Sequence, residues 1–246
     1  MKRSAATALA AVSLCCLTAG IWAAASAPLP QQNPPAGKMR KPQMADTVKA
    51  AVYADNNFQL YINGQLTAVD SITFIPHNVI SVDILPSYPM TIAVIARDNA
   101  DPKTGMEYAN TNIGDGGFIL KFGDGTVTSG AWKALVVSSG PIGGDTKNPR
   151  VESTPLPDNW FAVGFDDSAW PKAVEYSEDE VDPKQPYFEH DFAGAKFIWS
   201  GDLALDNTVL FRHVVAAPPD GKQRPDFSNI NNVVPDGPPK KKGKGK

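Results

Sequence analysis

The chain predicts an all-β sandwich, on three observations. Apolar residues alternate with period two from Thr47 onward, β-branched and aromatic residues crowd those stretches, and Gly, Asn and Asp interrupt them at short intervals. Hardly any stretch shows the 3.6-residue spacing of an amphipathic helix. Short strands set off by tight turns indicate two packed sheets or a barrel.

Taken in order, Val48 to Tyr53 reads as a first strand, Asp55-Asn56-Asn57 as a turn and Phe58 to Ile62 as a second strand. Asn63-Gly64 supplies the two positive-φ positions of a type I′ hairpin turn, and the chain returns through Gln65 to Val69. Ile72 to Ile75, Val79 to Ile84 and Thr91 to Arg97 continue the series. The last is nearly continuous in apolar residues, as suits a strand in the interior of a sandwich. Phe118 to Phe122 and Thr126 to Thr128 flank a tight turn at Gly123-Asp124-Gly125, and Ala131 to Ala134 opens the next strand. Lys196 to Trp199 and Thr208 to Val215 close the domain.

Both ends read differently. Met1-Lys2-Arg3 precedes an apolar, alanine-rich run from Ala5 to Ala24, with small residues at Ala25-Ser26-Ala27, the layout of a secretory signal peptide over residues 1–27. Cleavage after Ala25 competes with cleavage after Ala27, since the latter puts Pro28 next to the cut. An uncleaved membrane anchor is the other reading of the same run, which approaches the roughly 20 residues needed to span a bilayer. Cys15 and Cys16 are the chain's two cysteines and both fall inside this run, so a cleaved product has no thiol for a disulfide, a Cys-ligated metal or a nucleophile. Stability must then come from a packed core, for which roughly 170 residues suffice in one domain.

Residues 28–46 read as a Pro-rich linker and residues 218–246 as a Pro-, Gly- and Lys-rich tail, which places the folded domain at 47–217. The tail ends in Lys240-Lys241-Lys242-Gly243-Lys244-Gly245-Lys246. It reads either as a disordered solubilising end or as a contact for an anionic surface. The chain has 26 acidic and 23 basic residues, and seven of the basic ones lie in this final Lys240–Lys246 stretch or the N-terminal leader, so the body is acidic. An acidic body argues against nucleic acid as its partner.

The segment Ala54-Asp55-Asn56-Asn57-Phe58-Gln59-Leu60-Tyr61-Ile62-Asn63-Gly64 resembles the first hairpin of galactose-binding-like domains, the discoidin-like and rhamnosidase-accessory-like jelly rolls. Further landmarks arrive in the expected order: Ile92 to Ala96, Trp132-Lys133, Phe165-Asp166-Asp167-Ser168-Ala169-Trp170-Pro171, Phe197-Ile198-Trp199-Ser200 and Val209-Leu210-Phe211-Arg212. The resemblance covers about Thr47 to Ala217 and is specific to fold rather than to ligand. It implies a jelly-roll sandwich that serves in carbohydrate binding or adhesion and often holds a structural calcium ion. Two long polar connections depart from the family pattern, Asp98 to Gly117 and Glu175 to Gly194. Connections longer than about 12 to 15 residues are usually functional or disordered, so a site is expected there.

Exposed aromatic rings are the usual platform for sugar faces. Trp132, Trp170 and Trp199 sit within structural landmarks and are expected in the core. Trp160, in the loop Pro157-Asp158-Asn159-Trp160, is the ring expected to be exposed, with Tyr108 as a second contact and Asn110 and Asn112 beside it. Asp98, Asp101, Glu107 and Asp115 offer the oxygen ligands that calcium prefers, as does the run Glu178 to Asp182, and neither follows EF-hand spacing. Asp98, Asp101 and Asp115 are the metal ligands expected, against the alternative of a solvated acidic surface.

His77, His190 and His213 are far apart and lack zinc-type spacing, with His213 expected on a sheet surface. No Gly-x-Ser-x-Gly elbow, P-loop or dinucleotide fingerprint occurs. The reading is therefore an exported carbohydrate-binding or surface-adhesion module without catalysis, its partner a glycan or a surface protein. The alternative is an assembly protein of an envelope or matrix, with the lysine tail contacting an anionic surface.

Overall fold

The structure is a computed structural model and describes residues 39–72, 79–227 and 234–235. The leader, most of the Pro-rich linker, the lysine tail, His77 and most of the Ile72 to Ile75 strand expectation lie outside the described residues. The strands, in chain order, are β1 (Met39–Arg40), β2 (Val48–Asp55), β3 (Asn57–Ile62), β4 (Gln65–Val69), β5 (Ile80–Ile84), β6 (Met90–Arg97), β7 (Met106–Glu107), β8 (Asn112–Ile113), β9 (Gly117–Phe122), β10 (Lys133–Ser139), β11 (Glu152–Ser153), β12 (Val174–Tyr176), β13 (Phe197–Trp199), β14 (Asp206–Val215) and β15 (Val234–Pro235). Two four-residue helices, α1 (Glu178–Val181) and α2 (Gln185–Phe188), lie between β12 and β13.

The molecule is an all-β sandwich. A six-stranded sheet has the order β11-β10-β14-β6-β3-β4, a five-stranded sheet the order β12-β13-β9-β2-β5, and neighbouring strands pair antiparallel in both. The period-two pattern explains the core between them. Val48, Ala50, Val52 and Ala54 of β2 face inward with Phe58, Leu60 and Ile62 of β3, Ile92, Val94 and Ala96 of β6, and Phe118, Leu120 and Phe122 of β9. Asn63 and Gly64 both take positive φ, 48° and 79°, so the expected hairpin turn between β3 and β4 is present.

Part of each outward face is buried too, which accounts for the continuous apolar run of β6. Ala93 and Ile95 lie under Trp160 and Trp170 from the segment between β11 and β12. On the opposite sheet Tyr53 and Ile119 lie under Val181, Tyr187 and Phe192 from the α1–α2 region. A strand covered on both faces loses the alternation that would mark an exposed side.

Three expectations change here. Asp55-Asn56-Asn57, expected as a turn, is a crossing between sheets: β2 belongs to one sheet and β3 to the other, and the chain passes between them at Asn56. The Glu175 to Gly194 connection is ordered structure, with β12 followed by two short helices, the first closed by a capping box in which Ser177 and Glu180 exchange hydrogen bonds. The folded body also runs past Ala217. Phe227 is buried, the Ser87 hydroxyl donates to Asp226 Oδ1 at 2.9 Å, and Arg224 pairs with Asp220 at 2.6 Å.

Candidate functional site

The strand registers bring three chain segments to one end of the sandwich. Asp55 closes β2 opposite Gly117 of β9, Asn57 opens β3 opposite Arg97 of β6, and Asp98 follows at once. Asn56 ties the crossing together: its amide donates to the Arg97 carbonyl at 2.8 Å, and its side-chain Oδ1 accepts from the Asn99 amide at 2.6 Å. Two carboxylates therefore reach the same end from strands of different sheets.

The long connection from Asp98 to Gly117 folds over this end as an ordered element, with β7 and β8 pairing through Met106↔Ile113 and Glu107↔Asn112. Close backbone approaches pin it. A Cβ on Gly105 would sit 2.4 Å from the Gly140 backbone, and the Asn207 side-chain amide donates to the Gly140 carbonyl at 3.1 Å. A Cβ on Gly114 would meet Asp98 Oδ2 at 1.8 Å, so the Asp98 carboxylate lies directly against the Gly114 backbone. Gly116 packs on the Trp199 ring in the same manner. The glycines admit backbone and side chains that any larger residue would push apart.

This folding gathers Asp98, Glu107 and Asp115. One carboxylate oxygen from each lies within 4.8 Å of the others. Asp98 and Glu107 are buried, 7% and 4% exposed, whereas Asp115 opens to solvent. Asp55 is 2% exposed, and its carboxyl is pushed up to about 8, first by burial and then by the charge of Asp115, with Glu107 adding to it. Burial also raises Asp98, and a hydrogen bond shared with Glu107 holds its proton further. Asp115 shifts upward for the same first reason, with Glu107 the leading charge. Lys184 attracts Asp55 and Asp115, but its Nζ is held by the Asp182 carboxylate at 3.0 Å.

Two oxygens in this region, Asp55 Oδ2 and Asp98 Oδ1, are buried without a hydrogen-bond partner. A buried carboxylate oxygen with no donor carries its full desolvation penalty. Oxygen donors without nitrogen or sulfur suit a hard cation.

The sequence-expected residues divide. Asp98 and Asp115 come together, but Asp101 does not join them. It is exposed and organises its own turn, its Oδ1 accepting from the Lys103 amide at 2.7 Å and its carbonyl from Gly105 at 2.7 Å. Glu107, named among the candidate oxygen donors but not among the expected ligands, takes that place. Asp55 was hidden in what read as a turn. Its signal was an acidic residue at a strand end directly before the crossing.

Tyr108 is 46% exposed next to buried Glu107, and Asn110 and Asn112 are exposed near it. Tyr108, Ala109 and Asn110 take φ of 46°, 58° and 67°, a left-handed run that turns β7 back into β8. Burial and the charges of Glu107, Asp115 and Asp55 raise the Tyr108 hydroxyl, which places it in the field of the carboxylate cluster.

Trp160 is not an exposed platform. It is 4% exposed, with Tyr61 edge-on at 5.5 Å and Phe161 at 5.8 Å, on the outer face of the six-stranded sheet. The Asn159 turn before it, at φ 54°, folds the ring inward rather than presenting it. Trp160→Phe is expected to cost about 1–3 kcal/mol in chemical denaturation and to leave ligand binding unchanged. The other tryptophans expected in the core are there: Trp132 and Trp199 are fully enclosed and Trp170 is buried. His213 is half-buried and stacks on Trp132 at 5.2 Å, while His190 is exposed.

The acidic run Glu178 to Asp182 is spent on local structure. Glu178 accepts from the Tyr187 hydroxyl at 2.7 Å, Glu180 completes the cap of α1, and Asp182 holds Lys184. Among the described residues, no helix is long and apolar enough to cross a membrane. No family model, no curated protein and no solved structure matches the chain.

Proposed function

We propose that the protein is an exported, non-catalytic recognition module that binds a glycan at a cell or matrix surface through the tip of the 98–117 connection. The observation that carries this reading is Tyr108. A half-exposed aromatic ring stands at the end of a rigid sandwich, flanked by the exposed amides of Asn110 and Asn112. An aromatic face with a few polar groups around it is the chemistry that packs on a sugar ring and orients its hydroxyls. Binding residues commonly sit on loops held by a rigid scaffold, and the glycine contacts beneath this loop supply the rigidity. The N-terminal charge, apolar run and small residues support export. The ordered landmarks of the galactose-binding-like pattern support the same role.

A glycan array probed with the full mature chain tests the reading. Tyr108→Ala should abolish the signal while changing stability by no more than about 0.5 kcal/mol, as expected for an exposed side chain. Absence of binding to any glycan, or binding that survives Tyr108→Ala together with Asn112→Ala, would end it.

One observation favours docking of a protein instead. β4 is the edge of the six-stranded sheet, and Leu66, Val69 and Ile72 are exposed on or just after it. Edge strands with apolar side chains invite strand addition by a partner. Under that reading Leu66→Lys removes partner capture and Tyr108→Ala does not.

A further inference from the structure

We infer that Asp98, Glu107 and Asp115 form a calcium-binding centre beneath the Tyr108 loop, with the buried Asp55 carboxyl at the same end of the sandwich. The inference stands apart from the glycan reading and holds whatever the loop binds.

Four carboxylates converge from β2, from the end of β6, from β7 and from the approach to β9. Three of them, Asp55, Asp98 and Glu107, are more than nine-tenths buried. A cluster of acids alone is no site, since acidic surfaces are common. The unpartnered buried oxygens are the independent sign. Asp98 Oδ1 belongs to the triad and Asp55 Oδ2 to the carboxylate that closes β2 at the same end, and neither has a donor from protein. The turn at Asp101 and the cap at Ser177 show what satisfied carboxylates look like in this chain: each accepts from a backbone amide at 2.7 Å. Asp98 Oδ1 and Asp55 Oδ2 have no such donor.

A divalent cation answers this deficit, ligated by the orphan Asp98 oxygen together with the Glu107 and Asp115 carboxylates. Calcium fits best. Ligand oxygens on opposite sides of a calcium ion lie about 5 Å apart, which accommodates a triad gathered within 4.8 Å. Magnesium requires a tighter octahedron and keeps most of its water, and zinc favours nitrogen or sulfur, which the triad lacks. The exposed side of Asp115 leaves a path for the ion to enter.

The test uses the full mature chain stripped with chelator, titrated calorimetrically with calcium and, separately, with terbium while tyrosine-sensitised emission is recorded. One equivalent of calcium should bind, with a rise in melting temperature of roughly 5–10 °C at a hundredfold excess over Kd. Magnesium at equal concentration should give a smaller shift. Asp98→Asn and Glu107→Gln should each weaken calcium about a hundredfold or more, by loss of a charged ligand. In chelator these two variants should melt no lower than the parent, because each replaces a buried acid of the crowded triad with a neutral amide of the same shape, and that result separates loss of binding from loss of fold. Asp101→Asn should leave the affinity within about twofold, since its carboxylate only closes a turn. Neither heat nor sensitised emission from the parent overturns the inference. Undiminished affinity in Asp98→Asn overturns it as well, by placing the ion on another acidic surface such as the Glu178 to Asp182 run.

Discussion

Asp167→Ala is expected to lower the stability of the protein by about 3–5 kcal/mol, read as a shift of the urea midpoint at unchanged slope. Arg212 on β14 is 2% exposed, and its guanidinium is the hub for the segment that covers the six-stranded sheet. Nε donates to Asp167 Oδ2 at 2.8 Å, Nη1 to the Trp160 carbonyl and Nη2 to the Ala162 carbonyl at 3.3 Å, and Phe165 lies 5.2 Å from the guanidinium carbon. Removing Asp167 leaves a buried cation without its counter-charge, the costly way to break such a pair. Replacing both partners with apolar residues, as in Arg212→Met with Asp167→Leu, is often harmless elsewhere. Here it strands two carbonyls that Arg212 satisfied, at about 1–3 kcal/mol for each group left buried without a donor. The double variant should therefore stay destabilised. A double variant as stable as the parent would show that the 160–167 segment is held by apolar packing alone.

That hub also shows what the sequence makes legible. Phe165-Asp166-Asp167 and Phe211-Arg212 stand out as landmarks, and the structure joins them through one guanidinium, but their separation along the chain hides the contact. Strands were readable because burial on one face imposes period two. The Asn63-Gly64 turn was readable because its backbone demands positive φ at both positions. Trp160 looks exposed in the sequence because its neighbours Asp158 and Asn159 are polar, and local polarity reports on those side chains rather than on the sheet face over which the ring closes. The carboxylate cluster was half legible. Asp98 and Asp115 lie in one conspicuously polar connection, and Asp101 lies there too, used up by its own turn. Asp55 comes from a separate strand, and the pairing of Asp55 with Gly117 that carries it to the site is a tertiary fact.

In chelator the protein is expected to become steadily less stable from about pH 4 to pH 8, the reverse of the usual carboxylate behaviour. Asp55 keeps its proton in the folded protein up to about 8, against 3.8 for a free side chain, because burial and then the Asp115 charge disfavour ionisation. Between those two values the folded state holds a proton that the unfolded chain has released, so stability falls as pH rises, by about 1.4 kcal/mol per pH unit for one such group. Asp98 is raised as well and steepens the decline in the same sense. Asp220 works oppositely, since its hydrogen bonds from Arg224 hold it well below the usual carboxylate range, but its contribution is lost only in strong acid, outside this window. Urea denaturation at pH 5, 6, 7 and 8 checks the slope. Asp55→Asn, which removes the ionisable group and keeps its shape, should flatten it and be the more stable protein at pH 8 by several kcal/mol. A parent protein whose stability is level from pH 5 to 8 would mean that Asp55 is already ionised in the fold, with a counter-charge beside it.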